Sequence, residues 1–273
     1  MTTVTSADGT TIGYTRSGAG PALILVDGAF CSREFGPMPA LAPLLAKHFT
    51  VYAYDRRGRG ESGDMKPYAA EREVEDIDAL IEAAGGTAYV YGISSGAVLA
   101  MRAAAALPGK VTRLAIYEAP VIVDRSRPLP PADYREAIDR LIATGRNGDA
   151  VAYFMTKYVG APGFVPWIMR AMPAWKKLKA VAPTLRYDNA VMGESFTGNG
   201  LSDEFAKALG GIAAPTWVGA GGKSPAWMTN SQDVIAATVA DSRRETLPGQ
   251  NHQVKANVIA PALTAFFAEG KVA

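Results

Sequence analysis

The chain runs to 273 residues, of which 48% are hydrophobic, 20% charged and 9% aromatic, with 28 basic residues against 26 acidic ones and a net charge of +2. A chain of this length buries roughly three quarters of the surface it exposes when unfolded, so one domain with an elaboration is expected to hold its own core. No polybasic stretch stands out to neutralise phosphates or hold an anionic bilayer, so neither nucleic acid nor a membrane surface is an expected partner. What remains is a small-molecule substrate, with a homodimer left open. The single cysteine, Cys31, forms no internal disulfide, and the N-terminal residues lack the basic and apolar regions of a secretion signal, so the expected setting is a reducing cytoplasm. The most apolar stretch, Ala88 to Ala106, is interrupted by Gly92, Ser94, Ser95, Gly96 and Arg102, and reads as buried strand plus helix. Two histidines, His48 and His252, stand far apart with no paired ligand spacing, so no structural zinc site is expected.

In chain order, Thr10 to Arg16, Ala22 to Val26, Thr50 to Tyr54, Thr87 to Tyr91 and Val111 to Tyr117 read as strands. Between them Pro37 to His48, Arg72 to Ala84 and Ser95 to Leu107 read as helices. Strands separated by helices imply right-handed βαβ units, an α/β fold with a mostly parallel central sheet flanked by helices. The alternation breaks from Pro120 to Pro183, where eight prolines fall among helical stretches such as Asp133 to Ala143 and Asp149 to Tyr158. Short kinked helices suit such a segment. Strand and helix return at Pro215 to Gly219, Asn230 to Ala240, Arg243 to Leu247 and Ala256 to Ala268. The irregular part therefore reads as a helical cap, residues 124–205, inserted after the sixth strand into a core domain of residues 1–123 and 206–273. Residues 123 to 132 and 198 to 211 are the expected boundaries.

The strongest chemical signal is Gly92-Ile93-Ser94-Ser95-Gly96, which follows a β-like run and opens an alanine-rich helix. This is G-x-S-x-G in the strand-turn-helix setting of a nucleophile elbow, where a side chain at either glycine would collide with neighbouring backbone. A Gly/Ser turn that only caps a helix is the plainer alternative. A serine hydroxyl needs a general base near neutral pH. His48 immediately precedes a strand and so falls at the N-terminal edge of a parallel sheet, the wrong side for a ligand site. His252 follows the last strand, at the C-terminal edge, and is the expected base.

With Ser94 and His252 in these places the sequence resembles the α/β-hydrolase family. Asp55-Arg56-Arg57-Gly58-Arg59-Gly60-Glu61-Ser62 is similar to that family's D-x-R-G-x-G-x-S turn, and Val26-Asp27-Gly28-Ala29-Phe30 to its His-Gly-x loop, with Asp27 where the histidine usually stands. The resemblance implies a Ser, acid, His triad and an oxyanion hole from the backbone N–H groups of Ala29 and Ser95. Asp27 itself is either a structural loop acceptor or a polar group that sets which substrate charge is tolerated. After the seventh strand the family commonly carries an aspartate, but Gly221-Gly222-Lys223-Ser224-Pro225 has Ser224 there. Some members place the acid after strand six, which makes Glu118 the leading candidate, with Asp124 and Asp27 in reserve and Ser224→Ala expected to do little.

Gly58-Arg59-Gly60-Glu61-Ser62-Gly63 is formally G-x-G-x-x-G, yet Pro67 follows soon after and no helix plainly opens at the third glycine, so no nicotinamide cofactor is expected, nor any other cofactor or metal. The insertion's Phe154, Met155, Tyr158, Phe164, Trp167, Met169, Met172 and Trp175 read first as its own core, with some lining an apolar pocket over the serine. The expected function is a serine hydrolase cleaving a carboxylic ester or lactone with an apolar portion through an acyl-enzyme. Two alternatives stand beside it: a cofactor-free lyase or cyclase using the same Ser-His pair, and a non-catalytic small-molecule receptor on the same fold.

Overall fold

A computed structural model describes residues 2–269. Its centre is one sheet of eight strands: β1 (Thr2–Thr5), β2 (Thr11–Ser17), β3 (Ala22–Val26), β4 (Thr50–Tyr54), β5 (Ala88–Ile93), β6 (Val111–Tyr117), β7 (Thr216–Gly221) and β8 (Ser242–Leu247). They lie in the order β1-β2-β4-β3-β5-β6-β7-β8. The first two pairings are antiparallel and the rest parallel. The inner strands are buried on both faces, which is why they read as unbroken apolar runs. Alternate residues divide between the two faces. Ile24, Val26 and Val90 enter one core layer, while Leu23, Leu25, Tyr89 and Tyr91 enter the other.

The second of these layers is covered by α1 (Met38–Leu45) and α11 (Ala256–Ala268). The first is covered by α2 (Ala70–Ala83), α3 (Ser95–Ala106) and α10 (Ala226–Thr238). Edge strand β8, beyond β7, is partly exposed and carries Arg243, Arg244 and Glu245 along it, a charged edge that discourages further pairing. The chain leaves β3 toward β4 and then crosses back to place β5 on β3's other side. The loops after β3 and β5 therefore diverge at a crevice, the place where parallel α/β sheets bind ligands.

Between β6 and β7 the chain makes a helical excursion: α4 (Tyr134–Ala143), α5 (Asn147–Tyr153), a π-helical turn over Phe154–Tyr158, α6 (Phe164–Met169), α7 (Ala174–Val181) and α8 (Leu185–Met192). It has a core of its own, with Ile122, Tyr134, Ile138, Val151, Tyr158 and Trp175 packed around Phe30 from the β3 loop. The stretch expected as one helix over 149–158 is thus α5 continued into a wider turn. Sequence reading did not find α9 (Asp203–Gly210), which straddles the expected boundary at 205. Its signal was present: Ser202 accepts a hydrogen bond from Phe205 N–H at 3.3 Å, and Phe205 and Leu209 join the sheet-side core. α8 likewise sends Val191 and Met192 into that core. Strand β1, only Thr2–Thr5 and largely exposed, has too little apolar alternation to be read from sequence. Among the described residues no helix is long and apolar enough to cross a membrane.

Candidate active site

Ser94 ends the turn from β5 into α3 with φ 58° and ψ −133°, a conformation rarely adopted by a side-chain-bearing residue. The flanking glycines make this turn feasible. A β-carbon on Gly92 would lie 2.4 Å from Gly96 O, and one on Gly96 would lie 2.4 Å from the carbonyl oxygens of Val26 and Asp27. The β3 loop and the serine turn are therefore in backbone contact. Gly28 completes the contact, since a β-carbon there would lie 2.8 Å from Ser94 Cβ.

Among the described residues, three non-glycine residues have positive φ: Phe30 at 62°, Ser94 at 58° and Glu118 at 48°. All three line one cavity of about 680 Å³. Strain of this kind costs on the order of 1–3 kcal/mol per residue and persists where surrounding structure imposes it, commonly at functional sites.

Glu118 follows β6, is fully buried, and is clamped through both carboxylate oxygens. Oε1 accepts from Gly221 N–H at 2.7 Å and from the Ser224 hydroxyl, while Oε2 lies 2.9 Å from His252 Nδ1. His252 is 45% exposed in its side chain and lines the same cavity as Ser94. The adjacent Asn251 carbonyl accepts from Tyr117 Oη at 2.8 Å, which ties the histidine loop to the end of β6. Of the three carboxylates weighed from sequence, Glu118 is the one bonded to His252. Asp124 instead accepts from Ser126 and from Asn230 Nδ2, and Asp27 accepts from Gly28 N–H at 3.2 Å. His48 sits exposed just before β4, at the sheet's opposite edge.

A second assembly, invisible to sequence spacing, fixes the β3 loop. Arg56 pairs with Glu73 through Nε at 2.7 Å and with Asp188 of α8 through Nη1 at 2.8 Å. Arg59 meets the other Asp188 oxygen at 2.7 Å and donates to Gly28 O at 2.6 Å. Arg56 also donates to Asp27 O at 3.3 Å, and Ser95 Oγ donates to Asp188 at 2.7 Å. Loop, serine turn and excursion are thereby joined through buried charges. Burial alone would lift the Asp188 carboxyl, but Arg59 and Arg56 outweigh it and hold it below the ordinary carboxylate range. For Asp27, burial wins over the same two arginines and lifts the carboxyl to about 7. Its Oδ2 is buried without a hydrogen-bond partner. Cys31 nearby is also pushed up, by burial and then by Asp27.

Most of the remaining lining is apolar, with Phe30, Phe154, Met155, Tyr158, Trp227 and Met228 among it, beside the polar Gln253. Thus Phe154, Met155 and Tyr158 of the excursion reach the cavity, Trp175 stays in the excursion's core, and Phe164, Trp167 and Met172 lie exposed. The glycine run 58–63 forms an irregular turn and α2 opens only at Ala70, so the geometry of a dinucleotide site is not assembled there. Among the described residues no group of three or more His, Cys, Asp or Glu side chains could hold a metal ion.

Comparison with known proteins agrees with this fold. Residues 18–265 match the family described as the alpha/beta hydrolase family. An alpha/beta hydrolase from Sphaerobacter thermophilus DSM 20745 is 48% identical over 97% of this chain and 100% of its own, with a TM-score of 0.89. A hydrolase from Pseudomonas aeruginosa PA01 has 23% identity, covers 98% of this chain and 97% of its own, and superposes with a TM-score of 0.70. A meta-cleavage product hydrolase from Pseudomonas fluorescens IP01 shares 16% identity over 99% of this chain and 98% of its own, at a TM-score of 0.66. The last two speak for the fold alone.

Proposed function

The chain belongs to the alpha/beta hydrolase family, and from that premise we propose that it is a serine hydrolase cleaving a carboxylic ester or lactone with an apolar portion through an acyl-enzyme. The observation that carries the reading is the 2.9 Å contact between Glu118 and His252, opening on the cavity that Ser94 also lines. A buried carboxylate on Nδ1 fixes the imidazole tautomer and leaves Nε2 as the proton acceptor.

Ser94 Oγ attacks the substrate carbonyl carbon while His252 Nε2 takes the hydroxyl proton. The backbone N–H groups of Ala29 and Ser95 hold the oxyanion, and collapse of the tetrahedral adduct expels the alcohol, which receives that proton from His252. Water, deprotonated by the same nitrogen, then attacks the acyl-serine and releases the acid. In a lactone both products remain one molecule. Glu118 holds the ring through Nδ1 and stabilises the imidazolium. Residues 124–205 act as a cap whose Phe154, Met155 and Tyr158 bind the apolar portion.

A fluorophosphonate probe tests the nucleophile directly. Stoichiometric labelling of Ser94, absent in Ser94→Ala, is expected, and an unlabelled wild-type protein would favour a receptor. Turnover of short p-nitrophenyl esters separates hydrolysis from proton-transfer chemistry without acylation.

A further inference from the structure

The near-neutral charge of the whole chain conceals a strongly biased segment. Residues 150–187 hold Lys157, Arg170, Lys176, Lys177, Lys179 and Arg186 and no aspartate or glutamate. The same segment contains five of the six large hydrophobic side chains exposed among the described residues. Val159 is 46% exposed, Phe164 62%, Trp167 74%, Ile168 51% and Met172 51%. Some of the cations have partners: Arg170 lies 3.0 Å from Asp149, Arg186 is 3.9 Å from Asp139, and Lys177 stands over the Phe35 ring. Lys157, Lys176 and Lys179 are exposed and enter no ion pair among the described residues.

The packing explains why these apolar side chains stay outside. Within α6 Pro166 is the buried residue, and within α7 it is Trp175, so Phe164, Trp167 and Ile168 have no place in the excursion's core. Val159 of this exposed set also lines the cavity, as does Leu178 of α7. Exposed Trp and Phe on one short stretch, flanked by unpaired lysines, combine the two contributions that hold a protein at a lipid interface: apolar side chains at headgroup depth and cations attracted by anionic headgroups.

We propose that α6, its flanking turns and the lysines of α7 form a docking surface for an anionic lipid bilayer, with Trp167 and Phe164 as the interfacial anchors. A second copy of the chain fits this surface poorly, because a two-fold contact would face the cations of one excursion with those of the other. Nucleic acid would use the lysines but leave the aliphatic side chains Val159, Ile168 and Met172 without partners. Docking brings the mouth of the cavity to the bilayer, where an apolar substrate is concentrated. The inference does not depend on the proposed chemistry, since binding is read without turnover.

The test is sedimentation of the full chain with sucrose-loaded vesicles of phosphatidylcholine alone or mixed with phosphatidylglycerol. Binding to the anionic vesicles is expected, weakening as salt rises, with at least tenfold weaker binding to phosphatidylcholine alone. Lys176→Gln with Lys179→Gln should weaken anionic binding by about thirtyfold, at roughly 1 kcal/mol per surface cation. Phe164→Ala with Trp167→Ala should weaken binding to both vesicle types, while circular dichroism and ester turnover in solution stay unchanged. Absence of binding to phosphatidylglycerol at low salt would overturn the proposal. So would duplex DNA bound as tightly as vesicles, or a dimer in analytical ultracentrifugation that the Phe164 and Trp167 double variant dissolves.

Discussion

The arginine lattice around Asp188 and the clamp around Glu118 are both built on buried carboxylates, and both end at the same cavity. In the lattice every charge meets its opposite: Arg56 and Arg59 against Glu73 and Asp188, all nearly inaccessible. Nothing in it is left to react. The clamp is asymmetric, with Glu118 fully buried and His252 45% exposed on its cavity side. A saturated buried network specifies shape, whereas a buried acid holding a half-exposed base has one nitrogen still to use. The distinction predicts which substitutions should change rate and which should change stability.

The largest effect belongs to Ser94→Ala. Turnover should fall by roughly a million-fold, the usual loss for a triad serine, with the denaturation midpoint little changed. Retained esterase activity in protein purified free of host enzymes would end the assignment. Glu118→Gln comes next, with a fall of about three to four powers of ten in kcat, since the amide keeps the size but not the charge that stabilises the imidazolium. Near-native turnover in that variant would place the clamp in the same structural class as the lattice and erase the distinction.

Asp188→Ala should act in the other way. It leaves the guanidinium groups of Arg56 and Arg59 buried beside one fewer anion, so about 3–5 kcal/mol of stability should be lost in equilibrium denaturation. Its effect on rate should follow from a loosened β3 loop and should shrink as the temperature is lowered.

Asp27 belongs to neither class, being a buried acid with one oxygen unpartnered. With its carboxyl raised from 3.8 to about 7, the unfolded chain ionises first as pH rises. Stability therefore falls between those two values and carries a constant penalty above them, on the order of 4 kcal/mol. Asp27→Asn removes the titration. Its stability gain over the wild type should be several-fold larger at about pH 8 than at about pH 4.5. A gain independent of pH in urea titrations would show that the Asp27 carboxyl is not held protonated by its burial.

How much of this was legible in the sequence depended on the range of each interaction. Strands β3, β4 and β6 have the bounds read from sequence: β3 and β4 are buried along nearly their whole length, and β6 ends in the buried apolar run Leu114–Tyr117 although Thr112 and Arg113 near its start are polar and less buried. The serine turn was equally plain, since its glycines answer contacts made within the motif and with one adjacent loop. Glu118 needed the family resemblance to be found, and its contact with His252 spans 134 residues. The lattice was not legible at all. Arg56 and Asp188 are 132 residues apart, and an aspartate inside a proline-rich helical excursion gives no local sign of its partner. The basic bias of residues 150–187 was missed for a different reason: total charge is an average, and the segment's bias is offset elsewhere in the chain.

Ser224 gives the smallest effect and the finest division of the clamp. From sequence it was a lost acid, and Ser224→Ala was expected to do little; in the fold its hydroxyl donates to Glu118 Oε1, beside the Gly221 N–H at 2.7 Å. The serine thus stands where the family resemblance puts the commoner acid, and it helps hold the carboxylate proposed here to act in its place. Removing the hydroxyl leaves one backbone donor on that oxygen and allows the carboxylate to rotate away from His252. A charge-assisted hydrogen bond is worth about 1.5–3 kcal/mol, part of which Gly221 retains, so kcat should fall by about tenfold with KM unchanged. The same loss should vanish in the Glu118→Gln background, because the charge that Ser224 orients is no longer there. If Ser224→Ala instead costs the same factor with and without the Glu118 carboxylate, Ser224 acts on the turn and not on the acid, and the clamp reduces to Gly221 N–H, Glu118 and His252.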